Sequence, residues 1–166
     1  MVRPATPADV PAIARVHVDA WRETYPGMLP AFVLDALTYA ERERQWIEAL
    51  PAGGSCLYVA AVDGTIAGFA AGGPNREPGY EAYPGELWAI YLLRAHQGRG
   101  LGRALFAAVR DWLGARGLEP FLLWVVTGNP ACSFYERLGG TRIRTQPAEI
   151  RGAQILESAY AWHTGS

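Results

Sequence analysis

The chain has 166 residues, half of them in the hydrophobic set, which suits one compact domain over residues 1–166 and is too little for two. Its 15 cations nearly balance 16 anions, so the basic excess of a dedicated nucleic-acid binder is missing. No apolar run of ~18 residues marks a membrane span and no basic-then-apolar leader marks a secretory signal, so a cytoplasmic protein with small-molecule partners is expected.

Pro7-Ala8-Asp9 opens a helix that carries Ile13, Val16, Val18 and Trp21. After the Pro26-Gly27 break, Leu29 to Leu50 reads as one or two more helices. The period then changes. Leu57 to Val62, the Asp63-Gly64 turn and Ile66 to Ala71 form a hairpin signal, because an Asp-Gly pair between apolar runs favours a tight reversal. Residues 74–85 are rich in Pro and Gly and form a long loop. A strand comes next over Glu86 to Leu93. Gly98, Gly100 and Gly102 lead into a helix on Leu101, Leu105, Phe106, Val109 and Leu113, which stops near Gly114 or Gly117. Phe121 to Val126 is a buried-type strand, Asn129-Pro130 starts a short helix that Gly139-Gly140 ends, and strands at 141–146 and 153–162 close the chain. Alternating strands and helices of this kind indicate an α/β or α+β domain.

The chemistry that the composition excludes is specific. Every cation is arginine, so Schiff-base and P-loop lysine mechanisms are out. Cys56 and Cys132 are far apart, and His17, His96 and His163 are isolated, so no metal site is expected. His17 reads as a satisfied structural histidine and Cys132 as a packing residue.

A strand, a glycine-rich turn and a helix in succession aim backbone N–H groups and the positive helix end at one point, where phosphate binds. Gln97-Gly98-Arg99-Gly100-Leu101-Gly102 has that context, with Arg99 and Arg103 at hand for further phosphate oxygens. The glycines fall at every second position and Arg103 stands where a dinucleotide fingerprint wants its third glycine, so NAD is disfavoured.

Gln97, Gly100 and Gly102 match the Q/R-x-x-G-x-G/A pyrophosphate loop of the GNAT acetyltransferases, and Phe134-Tyr135-Glu136-Arg137-Leu138-Gly139 resembles that family's second signature. The order of elements agrees over nearly the whole chain. The resemblance implies a mixed, mostly antiparallel twisted sheet of about seven strands flanked by helices, with two central parallel strands splayed apart around the pantetheine arm of acetyl-coenzyme A. It implies an N-acetyltransferase that moves an acetyl group from acetyl-CoA, its cosubstrate, to a primary amine by direct transfer. No metal takes part. The alternative is a catalytically silent domain that binds or senses acyl-CoA or presents a surface to a partner.

By the same resemblance, Ile90, Tyr91 and Leu92 lie along the cofactor, with backbone groups of Ile90 and Leu92 pairing to pantetheine and a nearby N–H polarising the thioester carbonyl. Residues 98–103, Gly98 and Leu101 among them, hold the pyrophosphate. Tyr135 is the acid for the departing thiolate. Glu86 is the base for the acceptor ammonium, against a solvated carboxylate at a strand end. The family's asparagine usually stands seven positions before the tyrosine. Here Asn129 is six before Tyr135, with Gly128 in the expected slot, so Asn129 is assigned either to coenzyme contact or to helix capping. Arg94 replaces a common proline and alters the strand exit. Trp21, Tyr25, Tyr80 and Tyr83 are the acceptor-side candidates, with core packing as the competing role for each. Glu77, Glu81 and Glu86 hint at a cationic acceptor, against a solvated acidic loop. The acceptor class, small molecule or peptide, and any homodimer are left open.

Overall fold

The computed structural model describes residues 1–50 and 53–163. Seven strands form one sheet in the order β1-β2-β3-β4-β5-β7-β6, where β1 is Val2–Pro4, β2 Cys56–Val62, β3 Thr65–Pro74, β4 Gly85–Leu92, β5 Phe121–Val126, β6 Thr141–Ile150 and β7 Ala153–Trp162. Every neighbouring pair is antiparallel except β4 and β5. The helices are α1 Val10–Thr24, α2 Ala31–Asp35, α3 Tyr39–Ala49, α4 Leu101–Ala115 and α5 Ala131–Arg137. The mixed, mostly antiparallel sheet flanked by helices is the fold that the sequence resemblance implied.

Several boundaries differ from the sequence reading. Pro7–Asp9 form a 3-10 turn and α1 begins at Val10. The Thr6 N–H and hydroxyl both meet Asp9 Oδ2, at 2.8 and 3.2 Å, and Arg3 Nη1 donates to the same oxygen at 2.7 Å. Those bonds to Arg3 and Thr6 outweigh burial and draw the Asp9 carboxyl down to about 2. β1 was not anticipated, because three residues ending in proline show no alternation. It exists through pairing with β2, Val2 lying opposite Ala60. β6 runs on from Gln146 to Ile150, since an edge strand tolerates Pro147. Residues 29–50 give two helices, and the Asp63-Gly64 hairpin forms with φ of 50° and 78° at its two turn residues, as a type I′ reversal requires.

Two cores sandwich the sheet. On one face α4 inserts Leu105, Phe106, Val109 and Leu113, and α5 adds Tyr135, against Phe121, Leu123 and Trp162. The helix reaches the sheet closely because β3 has Gly72 beneath it, where a Cβ would lie 2.6 Å from Val109 Cγ1. On the other face α1 and α3 cover Phe69 with Ile13, Val16 and Trp46. Full burial of the Phe69 ring contributes roughly 2–3 kcal/mol. A third cluster joins the end of α1 and α2 to the far end of the sheet through Tyr25, Leu29, Val33, Val126 and Ala153.

β4 and β5 pair only at Gly85 with Phe121 and Glu86 with Leu122. Beyond those two rungs they separate. The separation starts where β4 carries a bulge, since Gly72 pairs with Leu87 and Ala71 with Ala89, which leaves Trp88 as the extra residue. A bulge bends its strand and re-aims the residues beyond it. The gap between the strands is therefore built into β4, and α4 begins at its open end.

Candidate active site

The gap continues into a cleft of about 560 Å³ between β4, β5, the end of α1, the start of α4 and α5. At one end lies the turn from β4 to α4. Gly98 and Gly100 have φ of 76° and 83°, the left-handed region where only glycine sits without strain, and a Cβ added to either would meet nothing within 4 Å. No side chain caps α4 at Gly100, so the first N–H groups of this 15-residue helix remain open to a ligand. Gly102 is tight for another reason. Its Cβ would come 3.2 Å from the Phe134 ring, which supports the turn from below. Gln97 donates through Nε2 to the Leu92 carbonyl at 3.1 Å, which ties the turn to the strand and leaves that carbonyl one further lone pair.

Of the residues expected at the cofactor, Ile90, Tyr91, Leu92, Gln97, Gly98, Gly100, Gly102, Arg103 and Asn129 line the cleft. Arg99 and Leu101 do not, and Arg99 is exposed beside it. Arg137 does line it, at the end of α5, three residues after Phe134. The sequence reading missed it, although it stands two residues past Tyr135 inside the quoted signature.

Tyr135, on α5, lines the cleft and is 5% exposed. Its hydroxyl has no hydrogen-bond partner among the described residues. Burial, then the neighbouring Tyr91 and Cys132, push its pKa up, so it holds its proton. Two more phenols approach. Tyr25, from the end of α1, accepts a hydrogen bond from Asn129 Nδ2 at 3.2 Å, and the Asn129 Oδ1 accepts from the Ala131 N–H at 2.8 Å. Asn129 thus caps α5 and lines the cleft together, and both of its polar ends have protein partners. Tyr25 and the Trp21 indole N–H bias the Tyr91 hydroxyl against the effect of burial, although Trp21 Nε1 closes no full hydrogen bond.

Glu86 is not the solvated carboxylate that was one of its two readings. Its side chain is 7% exposed and paired with Arg76 Nη2 at 3.3 Å, while Oε1 accepts the Arg76 backbone N–H at 2.9 Å. Arg76 in turn lies over the Trp88 ring at 4.7 Å. Glu81 accepts from the Gly79 N–H. The acidic loop is therefore largely answered from within, and Glu86 stands beside the cleft rather than on its wall. Glu157 is close enough to feel Glu77 and Glu86. Burial first, opposed by a hydrogen bond from Gln146 Nε2, and then those two carboxylates raise its pKa.

The acceptor-side candidates divide. Tyr25 lines the cleft. Trp21 lies one layer behind, edge-on to Tyr25 at 5.0 Å between ring centres. Tyr80 meets the cleft residue Trp124 edge-on at 5.3 Å and donates to Gln146 Oε1 at 3.1 Å, whereas Tyr83 turns away toward His163. His17 accepts the Trp46 indole N–H at Nδ1, 3.1 Å, and burial, then the charge of Arg42, lower its pKa to about 3, as suits a neutral structural imidazole. Arg94 begins a 3-10 turn after β4, and both its backbone N–H and its guanidinium bond Glu23 at the end of α1. Among the described residues no cluster of side chains suits a metal ion and no helix is long and apolar enough to cross a membrane.

Comparison with known proteins gives a consistent picture. The family model described as Acetyltransferase (GNAT) family matches residues 17–140. An uncharacterized N-acetyltransferase of Bacillus subtilis, YuaI, is 38% identical over 162 residues, which is 97% of this chain and 91% of the relative. A mycothiol acetyltransferase of Renibacterium salmoninarum is 37% identical over 103 residues, but these make up only 29% of that protein. Among solved structures, a ribosomal-protein-alanine N-acetyltransferase from Brucella melitensis superposes with a TM-score of 0.79 at 24% identity, covering 98% of this chain and 99% of the other. YncA from Salmonella typhimurium, a putative acetyltransferase solved with acetyl-CoA, superposes with a TM-score of 0.77 at 24% identity, covering 100% and 94%. At that identity the two structures speak for fold alone.

Proposed function

The chain belongs to the GNAT acetyltransferase family, and from that premise we propose that it transfers an acetyl group from acetyl-CoA directly to an amine acceptor. The observation that carries this reading is the cleft itself. An uncapped helix end behind a left-handed glycine turn, an unpaired stretch of strand and a free, protonated tyrosine succeed one another along a single groove. The residues present fit acetyl-CoA. Open N–H groups of residues 101–103, with Arg103 and Arg137, suit a pyrophosphate, and the β4 edge offers backbone groups to an extended amide chain.

Acetyl-CoA supplies an activated thioester. On the protein side, a β4 N–H polarises the carbonyl as negative charge grows on its oxygen, and the Tyr135 hydroxyl hydrogen-bonds or protonates the departing thiolate. That tyrosine suits the role because burial keeps it protonated. Glu86 is proposed to draw the proton from the acceptor ammonium, directly or through water, with Arg76 holding the carboxylate in place. Both substrates bind together, so the protein gains by orienting them for direct attack.

The test is release of free CoA thiol from acetyl-CoA in the presence of an amine panel. Release that depends on the amine is expected. Acetyl-CoA binding with no thiol release from any amine would instead identify a domain that binds acyl-CoA without turning it over. No binding at all would remove the reading.

A further inference from the structure

Asn129 joins the two sides of the cleft. Its Oδ1 accepts the N–H of Ala131, the first residue of α5, at 2.8 Å, and its Nδ2 donates to the hydroxyl of Tyr25, at the end of α1, at 3.2 Å. Asn129, Tyr25, Tyr91 and Tyr135 all line the cleft.

The direction of the bond to Tyr25 is fixed by the other end of the same amide. An asparagine side chain has one acceptor end and one donor end, and here the acceptor end is committed to a backbone N–H, which can only donate. The donor end is left for Tyr25, whose oxygen accepts, so the Tyr25 proton points away from Asn129. Tyr25 is 4% exposed, and a buried O–H finds a partner inside the protein. Burial raises the proton affinity of both Tyr25 and Tyr91. Their mutual contact raises that of Tyr25 further and eases that of Tyr91, the signs for a proton that Tyr25 gives and Tyr91 receives. The Tyr91 ring is held in turn, stacked on His17 at 5.1 Å and meeting Phe69 at 5.7 Å between ring centres. Its own hydroxyl donates to no group among the described residues. Neither a carboxylate nor an imidazole is among the described residues that line the cleft, so nothing on the wall draws that proton elsewhere.

We infer that Asn129 is a positioning residue for acetyl transfer: it sets the direction of a hydrogen-bond chain from Asn129 to Tyr25 to Tyr91, so that this wall offers a proton, beside that of Tyr135, to the departing thiolate. The inference rests on the reading of the cleft as an acetyl-transfer site. As the amine nitrogen bonds to the carbonyl carbon, the C–S bond breaks and its electron pair stays on sulfur. Tyr135 hydrogen-bonds or protonates that sulfur, Tyr91 hydrogen-bonds it and keeps its proton, and the proton of the acceptor leaves to Glu86. Donors already aimed at the developing charge need no reorganisation as it forms.

Asn129→Asp turns the chain round. Both carboxylate oxygens accept, so one keeps the Ala131 N–H and the other draws the Tyr25 proton, after which the Tyr25 oxygen accepts from Tyr91. Asn, Asp and Ser cap helices about equally well, so a role confined to capping α5 predicts full kcat in Asn129→Asp and Asn129→Ser. Reversal of the chain predicts instead that Asn129→Asp lowers kcat for thiol release about 10- to 100-fold, the range for one hydrogen bond to a charged group, with KM for acetyl-CoA within a few-fold. Asn129→Ser, too short for Tyr25, should fall between. In a Tyr25→Phe background, where no chain remains to be reversed, Asn129→Asp should change kcat less than about 2-fold. A direct effect of the new charge on sulfur would survive Tyr25→Phe. The second readout needs no turnover. It is the pKa of the CoA thiol bound to the protein, followed by thiolate absorbance with desulfo-CoA as the blank, and Asn129→Asp should raise it by about one unit or more over wild type.

Full kcat in Asn129→Asp, a loss equally large in the Tyr25→Phe background, or a bound-thiol pKa equal in wild type and Asn129→Asp would each overturn the inference. Thermal unfolding checks that each variant is folded, and Asn129→Ser carries both readouts if Asn129→Asp is not. If CoA binds and no amine releases thiol, it is the transfer reading that fails. The thiol pKa then decides the role of Asn129 by itself: a rise in Asn129→Asp supports the chain, and equality overturns it.

Discussion

Acidification should destabilise this fold through one residue, His17. It is 8% exposed, stacked on Tyr91 at 5.1 Å between ring centres and bonded at Nδ1 by the Trp46 indole. Burial first, then the charge of Arg42, lower its pKa from 6.5 to about 3. A base with a depressed folded pKa is protonated in the unfolded chain before it is protonated in the folded one. The unfolded state therefore binds more protons between pH 6.5 and pH 3, and stability falls as pH falls through that window. Integrated from about pH 7.5 to about pH 5, the difference is about 1.5 proton-affinity decades, or about 2 kcal/mol. For a chain of this length that amounts to a drop in Tm of about 4–8 °C. Asp9, held down to about 2, does not titrate in this range. Glu157, with its raised pKa, acts in the opposite sense, gaining stability on acidification. The assay is thermal unfolding at the two pH values in buffers of equal ionic strength, for the wild type and for His17→Gln, whose amide oxygen can still accept from Trp46. Glu157 contributes alike to both proteins, so the difference between their pH slopes isolates His17. Equal slopes, or a His17 imidazole signal, assigned by its loss in His17→Gln, that titrates in the folded protein near its ordinary pKa, would refute the argument.

Saturating acetyl-CoA should raise Tm, and Gly100→Val should remove that shift while the protein stays folded, because a branched residue at φ 83° is strained and shields the helix N–H groups. An unchanged calorimetric Kd in the variant would move the phosphate site elsewhere. Tyr135→Phe should lower kcat by ~10- to 1,000-fold, the lower half being favoured by the good leaving thiolate, with acetyl-CoA affinity within a few-fold of wild type. Full turnover in the variant would reduce Tyr135 to packing. Phe106→Leu, in the α4 core beside Trp162, is the control, since Phe134 supports Gly102 and is no neutral site. Glu86→Gln should depress turnover most at low pH, where the acceptor is most protonated; a pH profile of unchanged shape, with only a lower Tm, would leave Glu86 as an anchor for Arg76.

The features legible in the sequence were local ones. The hairpin at Asp63-Gly64, the strand Phe121–Val126 and the glycine turn before α4 each depend on residues within a few positions of one another, and each formed where expected. β1 and the outer half of β6 depend on partners elsewhere in the chain, Ala60 and the residues from Ala153 onward, and nothing in their own short, proline-bearing sequences announces them. The site divides in the same way. The cleft-lining glycines, Gln97 and Tyr135 belong to short contiguous patterns. The Arg76–Glu86 pair, the Asn129–Tyr25 bond and the approach of Arg42 to Tyr91 join elements that only the fold brings together. Trp21 and Tyr83 are aromatics on a helix and a loop near the cleft yet do not line it, and sequence carries no signal that separates a wall residue from one turned away or in the layer behind.

The parting of β4 from β5 has a consequence for how the molecule behaves in solution. A sheet with seven strands normally has two edges, both at its flanks. This one has two more, facing inward, where β4 past Glu86 and β5 past Leu122 meet no strand across the gap. Exposed edges invite other chains and aggregation, yet these are recessed between α1 and α5, where only a molecule as slender as an extended chain can reach. An occupant that pairs with them completes the ladder, so it becomes a structural member of the sheet as well as a reactant. The gap-facing amide hydrogens between Ala89 and Leu92 should then exchange quickly in the free protein and slowly once the groove is filled, and the two halves of the sheet should stiffen against each other.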